Sequence, residues 1–370
     1  MIEWLEEDLA RLRAEGLFRE RREPIVEPGP WVERGGRRLL NLCSNDYLSL
    51  AASPAGGASG SGASRLIVGD TVEHVSLERA LADWLRVDDT LVFGSGYAAN
   101  VGTVAALADA NTVVVSDALN HASVIDGCRL SRARVVVVPH RDVAAVRRAL
   151  ADAPERRRLV VTDAYFSMDG TVAPVAELAE ECRRARAALY VDEAHAIGVF
   201  GPEGRGICAS VGVVPDVLMG TLGKAFGASG AFVAGSPTLT RWLWNAARSF
   251  VFSTGMSPAV ASAAAVALPL VREGTRTRRL LANADRLRGF VARETMDGSV
   301  GPIVPVLLGS PERAMGAMAK LLEQGVFAQA IRPPTVPRGT SRLRLTVQAG
   351  HEGAELDRAG AVLADVLRRV

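Results

Sequence analysis

The chain has 370 residues, enough for two domains or for one large domain with a smaller appendage. With 48% apolar and 23% charged residues it is not a disordered or fibrous chain. Its 43 basic and 41 acidic residues leave a net charge of +2, which gives no electrostatic case for nucleic acid or an anionic membrane as partner.

The first twelve residues carry Glu3, Glu6, Glu7 and Asp8 and lack the basic-then-apolar order of a signal peptide. Leu5, Leu9 and Leu12 recur at helical spacing, so the N-terminus reads as an amphipathic helix. An arm punctuated by Pro24, Pro28, Pro30, Gly35 and Gly36 follows, then a short apolar run, Leu39 to Cys43. Ala51 to Ser64 is rich in Gly, Ala and Ser and reads as a loop. From about residue 89, short β-rich runs alternate with helical patterns: Thr90–Phe93, Thr112–Ser116, Arg134–Val138, Leu159–Asp163, Ala187–Asp192, Val217–Met219 and Ala231–Ala234. Several are apolar without alternation, as strands covered on both faces are. The pattern predicts an α/β fold with a seven-stranded, mostly parallel sheet. The longest apolar stretch, Ala259 to Val271, is too short for a bilayer span, contains Pro269, and reads as a buried helix. Beyond it the order becomes helix, strand, helix, a small α+β domain. The expected division is 1–44 as N-terminal helix and arm, 45–270 as the large domain and 271–370 as the small C-terminal domain. Cys43, Cys128, Cys182 and Cys208 are far apart and form no CxxC pair. No disulfide framework and no metal site are expected, and a reducing cytoplasm fits such a chain.

Of the 43 basic residues only Lys224 and Lys320 are lysine. Arginine cannot lose its proton near neutral pH or form a Schiff base, and a lysine amine can do both. A lysine that persists in such a chain is therefore a candidate for work that arginine cannot do. Lys320 lies in an amphipathic helical pattern and reads as a surface residue. Lys224 sits between glycines in Gly220-Thr-Leu-Gly-Lys-Ala-Phe-Gly.

Ligands of open α/β sheets bind beyond the carboxyl ends of the strands. Those ends here are Gly94-Ser-Gly-Tyr-Ala-Ala-Asn, Ser116-Asp-Ala-Leu-Asn-His-Ala-Ser, Asp163-Ala-Tyr-Phe-Ser-Met-Asp-Gly, Asp192-Glu-Ala-His and Gly220-Thr-Leu-Gly-Lys. A pyridoxal cofactor requires a lysine for its aldehyde, a carboxylate for its pyridine nitrogen, and N–H and hydroxyl donors for its phosphate. Asp192 is the candidate carboxylate, Gly96, Tyr97 and Thr221 the phosphate donors, and His121 a ring to stack on the cofactor. Taken singly each has an ordinary structural reading: a lone histidine, a helix-capping aspartate, a glycine turn. The ordered set is what points to chemistry. Asp192-Glu-Ala-His also spells the DEAH box of nucleic-acid-dependent ATPases. That chemistry needs a G-x-x-x-x-G-K-[ST] loop, whose first glycine would fall at Leu218 and whose last position is Ala225, so this reading fails.

Asn45-Asp-Tyr-Leu, Asn120-His-Ala-Ser-Val-Ile-Asp-Gly, Phe166-Ser-Met-Asp-Gly, Asp192-Glu-Ala-His, Thr221-Leu-Gly-Lys-Ala-Phe-Gly and Phe252-Ser-Thr resemble, in order and spacing, the α-oxoamine synthases. The likeness runs from about Leu17 to the C-terminus. It implies a fold-type-I homodimer with pyridoxal 5'-phosphate (PLP) bound in the large domain and active sites at the subunit interface. It implies that Lys224 holds PLP, Asp192 pairs with the ring nitrogen and His121 stacks on the ring. Ser167 and His195 would lie near the ring hydroxyl. Gly96, Tyr97 and Thr221 would bind the phosphate, with Thr254 reaching across from the other subunit. Arg344 would hold an amino-acid carboxylate, and Arg19, Asn45, Arg332 and Thr335 would contact substrate. Ile331-Arg-Pro-Pro-Thr-Val-Pro-Arg is most similar to members that condense L-alanine with a pimeloyl thioester of coenzyme A or of acyl-carrier protein. Sister enzymes take glycine. Relative to the family, Ala51–Ser64 is short and Ser49 replaces a common glycine.

Overall fold

The computed structural model describes residues 10–16, 18, 29–51, 56 and 58–369. Of the expected N-terminal helix, residues 10–14 are helical, and Leu5 and Leu9 lie outside the described residues. In chain order the elements begin with strands β1 (Trp31–Arg34) and β2 (Arg37–Asn41), helix α1 (Val72–Leu85), β3 (Asp89–Phe93), α2 (Gly96–Leu107), β4 (Thr112–Asp117), α3 (Ala122–Ser131), β5 (Arg134–Val138) and α4 (Val143–Ala151). Next come β6 (Arg157–Asp163), α5 (Val175–Ala185), β7 (Ala188–Asp192), α6 (Gly206–Ser210), β8 (Val217–Thr221), β9 (Ala231–Gly235), α7 (Pro237–Ala246), α8 (Arg248–Val251) and α9 (Pro258–Glu273). The chain ends with α10 (Thr275–Phe290), β10 (Ile303–Gly309), α11 (Pro311–Glu323), β11 (Val326–Phe327), β12 (Gln329–Ile331), β13 (Ser341–Thr346) and α12 (Gly353–Arg368). They gather into two compact units. The larger comprises Asp46–Ser167 and Thr171–Leu280, and the smaller comprises the described residues up to Asn45, Met168–Gly170 and those from Leu281 onward.

The larger unit is built on a seven-stranded sheet in the order β3-β9-β8-β7-β6-β4-β5. Strands β4 to β8 run parallel, and β9 is antiparallel to both of its neighbours. The seven runs read from the sequence are these seven strands, with ends within two residues of those expected. Their apolar character follows from position. Val113, Val114, Val115, Val160, Val161, Tyr190 and Val191 are each at most 1% exposed, so the central strands have no solvent face on which polar residues could alternate. The edge strand β5 differs, with Val137 64% exposed.

The helices start where short polar side chains satisfy their first amides. Ser95 accepts from the Ala98 amide (3.1 Å), Asp142 from Ala145 (2.8 Å) and Ser236 from Leu239 (3.2 Å). Each cap contributes about 1 kcal/mol. The stretch Ala259–Val271 is indeed a helix, α9, but it is not buried all round. Ala261, Ala264, Leu268 and Val271 face inward while Val266 is 60% exposed. Alanine makes it apolar throughout without requiring it to be covered throughout. No helix among the described residues is long and apolar enough to cross a membrane.

The smaller unit holds two three-stranded sheets, β1-β2-β11 and β10-β13-β12. Leu321 of α11 and Leu356 and Leu363 of α12 are fully buried in it. Arg342 on β13 is 2% exposed and is neutralised by Asp169 at 2.6 Å.

Candidate active site at the carboxyl ends of the strands

Register decides which side chains meet in the larger unit. In the parallel ladder Asp163 at the end of β6 lies beside Asp192 at the end of β7, and Asp192 lies beside Met219 on β8. Two carboxylates therefore stand side by side in a buried layer, 4% and 5% exposed. Burial and the neighbouring Asp192 charge push the Asp163 carboxyl well above the usual range, while the His121 amide and the Lys224 charge pull the other way. Two adjacent buried carboxyls cannot both ionise cheaply, and this favours the protonated form of Asp163.

Asp192 takes two N–H donors, from Asn100 Nδ2 at 2.7 Å and the Ala194 amide at 2.8 Å. Every polar position of Asn100 is used: its second N–H goes to Ser123 Oγ (2.8 Å), and its Oδ1 accepts from the Tyr190 hydroxyl (2.6 Å). Ser123 Oγ is in turn 2.7 Å from His121 Nδ1, which also accepts from the Ser123 amide. A continuous hydrogen-bonded chain thus links buried Tyr190, Asn100, Asp192 and Ser123 to the ring of His121. Networks this complete hold their members rigidly. His121 caps α3, with its outer side open to solvent. Loss of water around the inner part of the ring lowers its pKa, Asp192 raises it and Lys224 lowers it further, with the net shift downward. With Nδ1 accepting, the neutral ring carries its proton on Nε2.

The lysine is placed by a tight turn after β8. The Leu222 amide donates to Gly230, Ala228 to Leu222 and Gly227 to the Lys224 carbonyl. Gly227 has φ +62°, and a Cβ there would lie 2.3 Å from the Leu50 carbonyl carbon, so only glycine lets the turn pass against Leu50 and Ala51. Thr221 Oγ1 accepts from the Gly223 amide (3.2 Å) and donates to Gly230 (3.1 Å). It stands near the start of α2: a Cβ built on Gly96 would be 3.8 Å from it. Gly96 and Thr221 are thus brought together at a helix N-terminus, where amides and dipole favour an anion. Tyr97 is 49% exposed, and its hydroxyl donates to Asp126.

His195 is 8% exposed, three residues after Asp192, and its Nδ1 lies 2.9 Å from the hydroxyl of fully buried Tyr47. Ser167 is 9% exposed at the turn after β6. Thr254 is exposed and bridges to Ser64. In the smaller unit, Arg344 on β13 is 7% exposed and donates to Asn45 Oδ1 at 3.0 Å. Arg332 donates to the Phe18 carbonyl (2.8 Å), and Thr335 is exposed on the turn that Arg332 begins. Arg19 lies outside the described residues.

Asn100, Ser123, Tyr190, Tyr47 and Asp163 are site members that sequence reasoning missed as such. Asn100 had a signal, as the one amide side chain in the helix Gly-Tyr-Ala-Ala-Asn-Val-Gly-Thr-Val-Ala-Ala-Leu. Tyr190 had none, because in an apolar run it reads as core.

The amine at Lys224, the buried acid at Asp192 and the helix N-terminus at Gly96 form a donor set suited to a phosphorylated aldehyde with a basic ring. The model of the aminotransferase class I and II family matches residues 37–363. The chain belongs to that family. It is 50% identical over 382 residues to the 8-amino-7-oxononanoate synthase of Anaeromyxobacter dehalogenans (strain 2CP-1 / ATCC BAA-258), covering 99% of this chain and 96% of that one. To the enzyme of the same name from Mycolicibacterium gilvum (strain PYR-GCK) it is 46% identical, covering 100% and 98%. Among solved structures, serine palmitoyltransferase from S. paucimobilis with PLP and myriocin bound matches with a TM-score of 0.91 at 28% identity, over 99% of this chain and 97% of that one. An 8-amino-7-oxononanoate synthase from Francisella tularensis, at 22% identity and TM-score 0.75 over 90% and 98%, shares the fold. The sheet described above is therefore the PLP fold-type-I sheet of this family.

Proposed function

We propose that this member of the family is a PLP-dependent acyltransferase that makes 8-amino-7-oxononanoate for biotin biosynthesis, from L-alanine and a pimeloyl thioester with release of carbon dioxide and the free thiol. The observation that carries the reading is the lysine on its glycine-bounded turn together with the fully paired Tyr190–Asn100–Asp192 chain. When bound, PLP supplies an electron sink for charge developing at the amino acid's α-carbon. Lys224 would hold the cofactor through Nζ, and its amine would take the substrate's α-proton. Asp192, fixed by Asn100 and the Ala194 amide, keeps the pyridine nitrogen protonated. His121 would stack on the ring, its lowered pKa favouring the neutral imidazole. Gly96, Tyr97 and Thr221 hold the phosphate, with Thr254 contributed by the second subunit. Ser167 and His195 attend the ring hydroxyl. Arg344 takes the substrate carboxylate beside Asn45, since its guanidinium fork matches a carboxylate, and Arg19, Arg332 and Thr335 contact substrate.

Tyr47 is a positioning residue in this scheme. Its hydroxyl lies 2.9 Å from His195 Nδ1; donating there, it would place the ring proton on Nε2, the nitrogen that would meet the cofactor. Tyr47→Phe removes one buried hydrogen bond, worth about 0.5–1.5 kcal/mol. It should shift the pH midpoint of the holoenzyme's visible spectrum by about 0.4–1.1 units, and an unmoved midpoint contradicts the role.

The active species is a homodimer. Phe252 is 71% exposed two residues before Thr254, an apolar side chain at the place where the second subunit is required. Specificity constants measured on the species that sediments as a dimer test the reaction. Alanine with a pimeloyl thioester should exceed glycine by about 10–200-fold, the discrimination that one methyl group supports. A preference for glycine with a succinyl thioester would move the chain to the sister activity.

A further inference from the structure

At the opposite ends of the strands, where β4, β6, β7 and β8 begin and β9 ends, the larger unit has a hollow of about 740 Å³. This lies within the range of small-molecule sites, roughly 300–1,000 Å³. Its lining includes five arginines, Arg86, Arg156, Arg157, Arg158 and Arg186, against two acids, Asp88 and Asp216. Among the described residues neither acid forms an ion pair with these arginines, and Asp216 accepts from the Leu189 amide at 2.8 Å. Arg157 pairs with Asp109 at 2.8 Å, Arg86 reaches Glu203 at 3.4 Å, and Arg158 is spread over the carbonyls of Ala153, Glu155 and Ala185. Arg156 and Arg186 have neither an ion pair nor a side-chain hydrogen bond among the described residues, and both are exposed. The same wall carries Trp242, 52% exposed with its indole N–H fixed on the Ala106 carbonyl at 2.8 Å, and Val214, 78% exposed.

We propose that this hollow binds a nucleoside polyphosphate at a site separate from the active site. Uncommitted guanidinium forks match phosphate oxygens two at a time, and a half-exposed indole held at its edge offers a surface on which a base stacks. A ligand with only charge would leave Trp242 and Val214 without a role, and an apolar one would leave the arginines unpaired. The catalytic residues lie at the other ends of the same strands, so the two sites are separated by the length of the sheet.

ATP titrated into PLP-saturated enzyme by calorimetry tests the assignment, with adenosine and inorganic tripolyphosphate as separate probes. ATP should bind more tightly than either probe, and its affinity should fall as salt rises. The paired substitution Arg156→Ala and Arg186→Ala should weaken ATP at least tenfold with basal activity unchanged. Trp242→Leu should weaken ATP roughly tenfold and leave tripolyphosphate unaffected, a contrast that a misfolded variant would not give. Absence of ATP binding at millimolar concentration, tripolyphosphate binding as tightly as ATP, or ATP affinity untouched by the double substitution would each overturn the proposal.

Discussion

Lys224→Ala should abolish catalysis in practical terms. In the proposed scheme it removes both the covalent attachment and the group that moves the α-proton, and the proton transfer alone is worth roughly 10²–10⁴-fold. Lys224→Arg should be as damaging, although it keeps the charge, because a guanidinium cannot form the bond or give up its proton near neutral pH. With Asp192 and the amides at the start of α2 proposed as further contacts to PLP, the loss should appear in kcat more than in cofactor content. Turnover within tenfold of wild type in either variant would show that the lysine is not the catalytic amine.

Asp192→Asn should lower kcat by about 10²–10³-fold, the usual cost of deleting one preorganised charge at a reacting centre. The side chain keeps its size, so the fold should persist. What changes is local: Asn100 Nδ2 loses a carboxyl acceptor at 2.7 Å, and Asp163 loses a neighbour that raises its pKa. The Asp163 carboxyl should then titrate lower, which infrared difference spectroscopy of the carboxyl stretch can follow. Unchanged kcat, or an Asp163 signal that does not move, would remove Asp192 from the electrostatic role assigned to it.

Much of the fold was legible because its strands are buried on both faces. Runs such as Thr112–Ser116 and Leu159–Asp163 are dominated by Val, Leu and Thr, as strands covered on both faces are. The strand ends were legible for the same reason, since polar residues that interrupt a buried run stand out. The connections between them were not. Nothing in the string tells that Asn100, in a helix, reaches Asp192 ninety-two positions later, or that Tyr190 closes the chain behind it. Those contacts arise from strand order, in which β7 and β8 are neighbours and α2 packs against β8 and β9, close enough for Asn100 to reach β7. The motif Asn45-Asp-Tyr-Leu was recognisable as a unit, but its division of labour needed coordinates. Asp46 ties down the Leu50 and Ala51 amides, Tyr47 holds His195, and Asn45 meets Arg344. The basic hollow at the far ends of the strands was hidden for another reason. In a chain with two lysines among 43 basic residues, arginines at 156 and 186 carry no signal until their lack of partners is seen.

The scarcity of lysine also makes the central claim unusually easy to test. Holoenzyme reduced with borohydride and digested should yield one peptide carrying the reduced cofactor, with the label on Lys224. The alternative position is Lys320, half-buried on α11, where its amine donates to the Arg369 carbonyl at 3.2 Å in the smaller unit. Label on Lys224 alone is the result this account predicts; label on Lys320, or a fully loaded enzyme that retains no label after reduction, would contradict it.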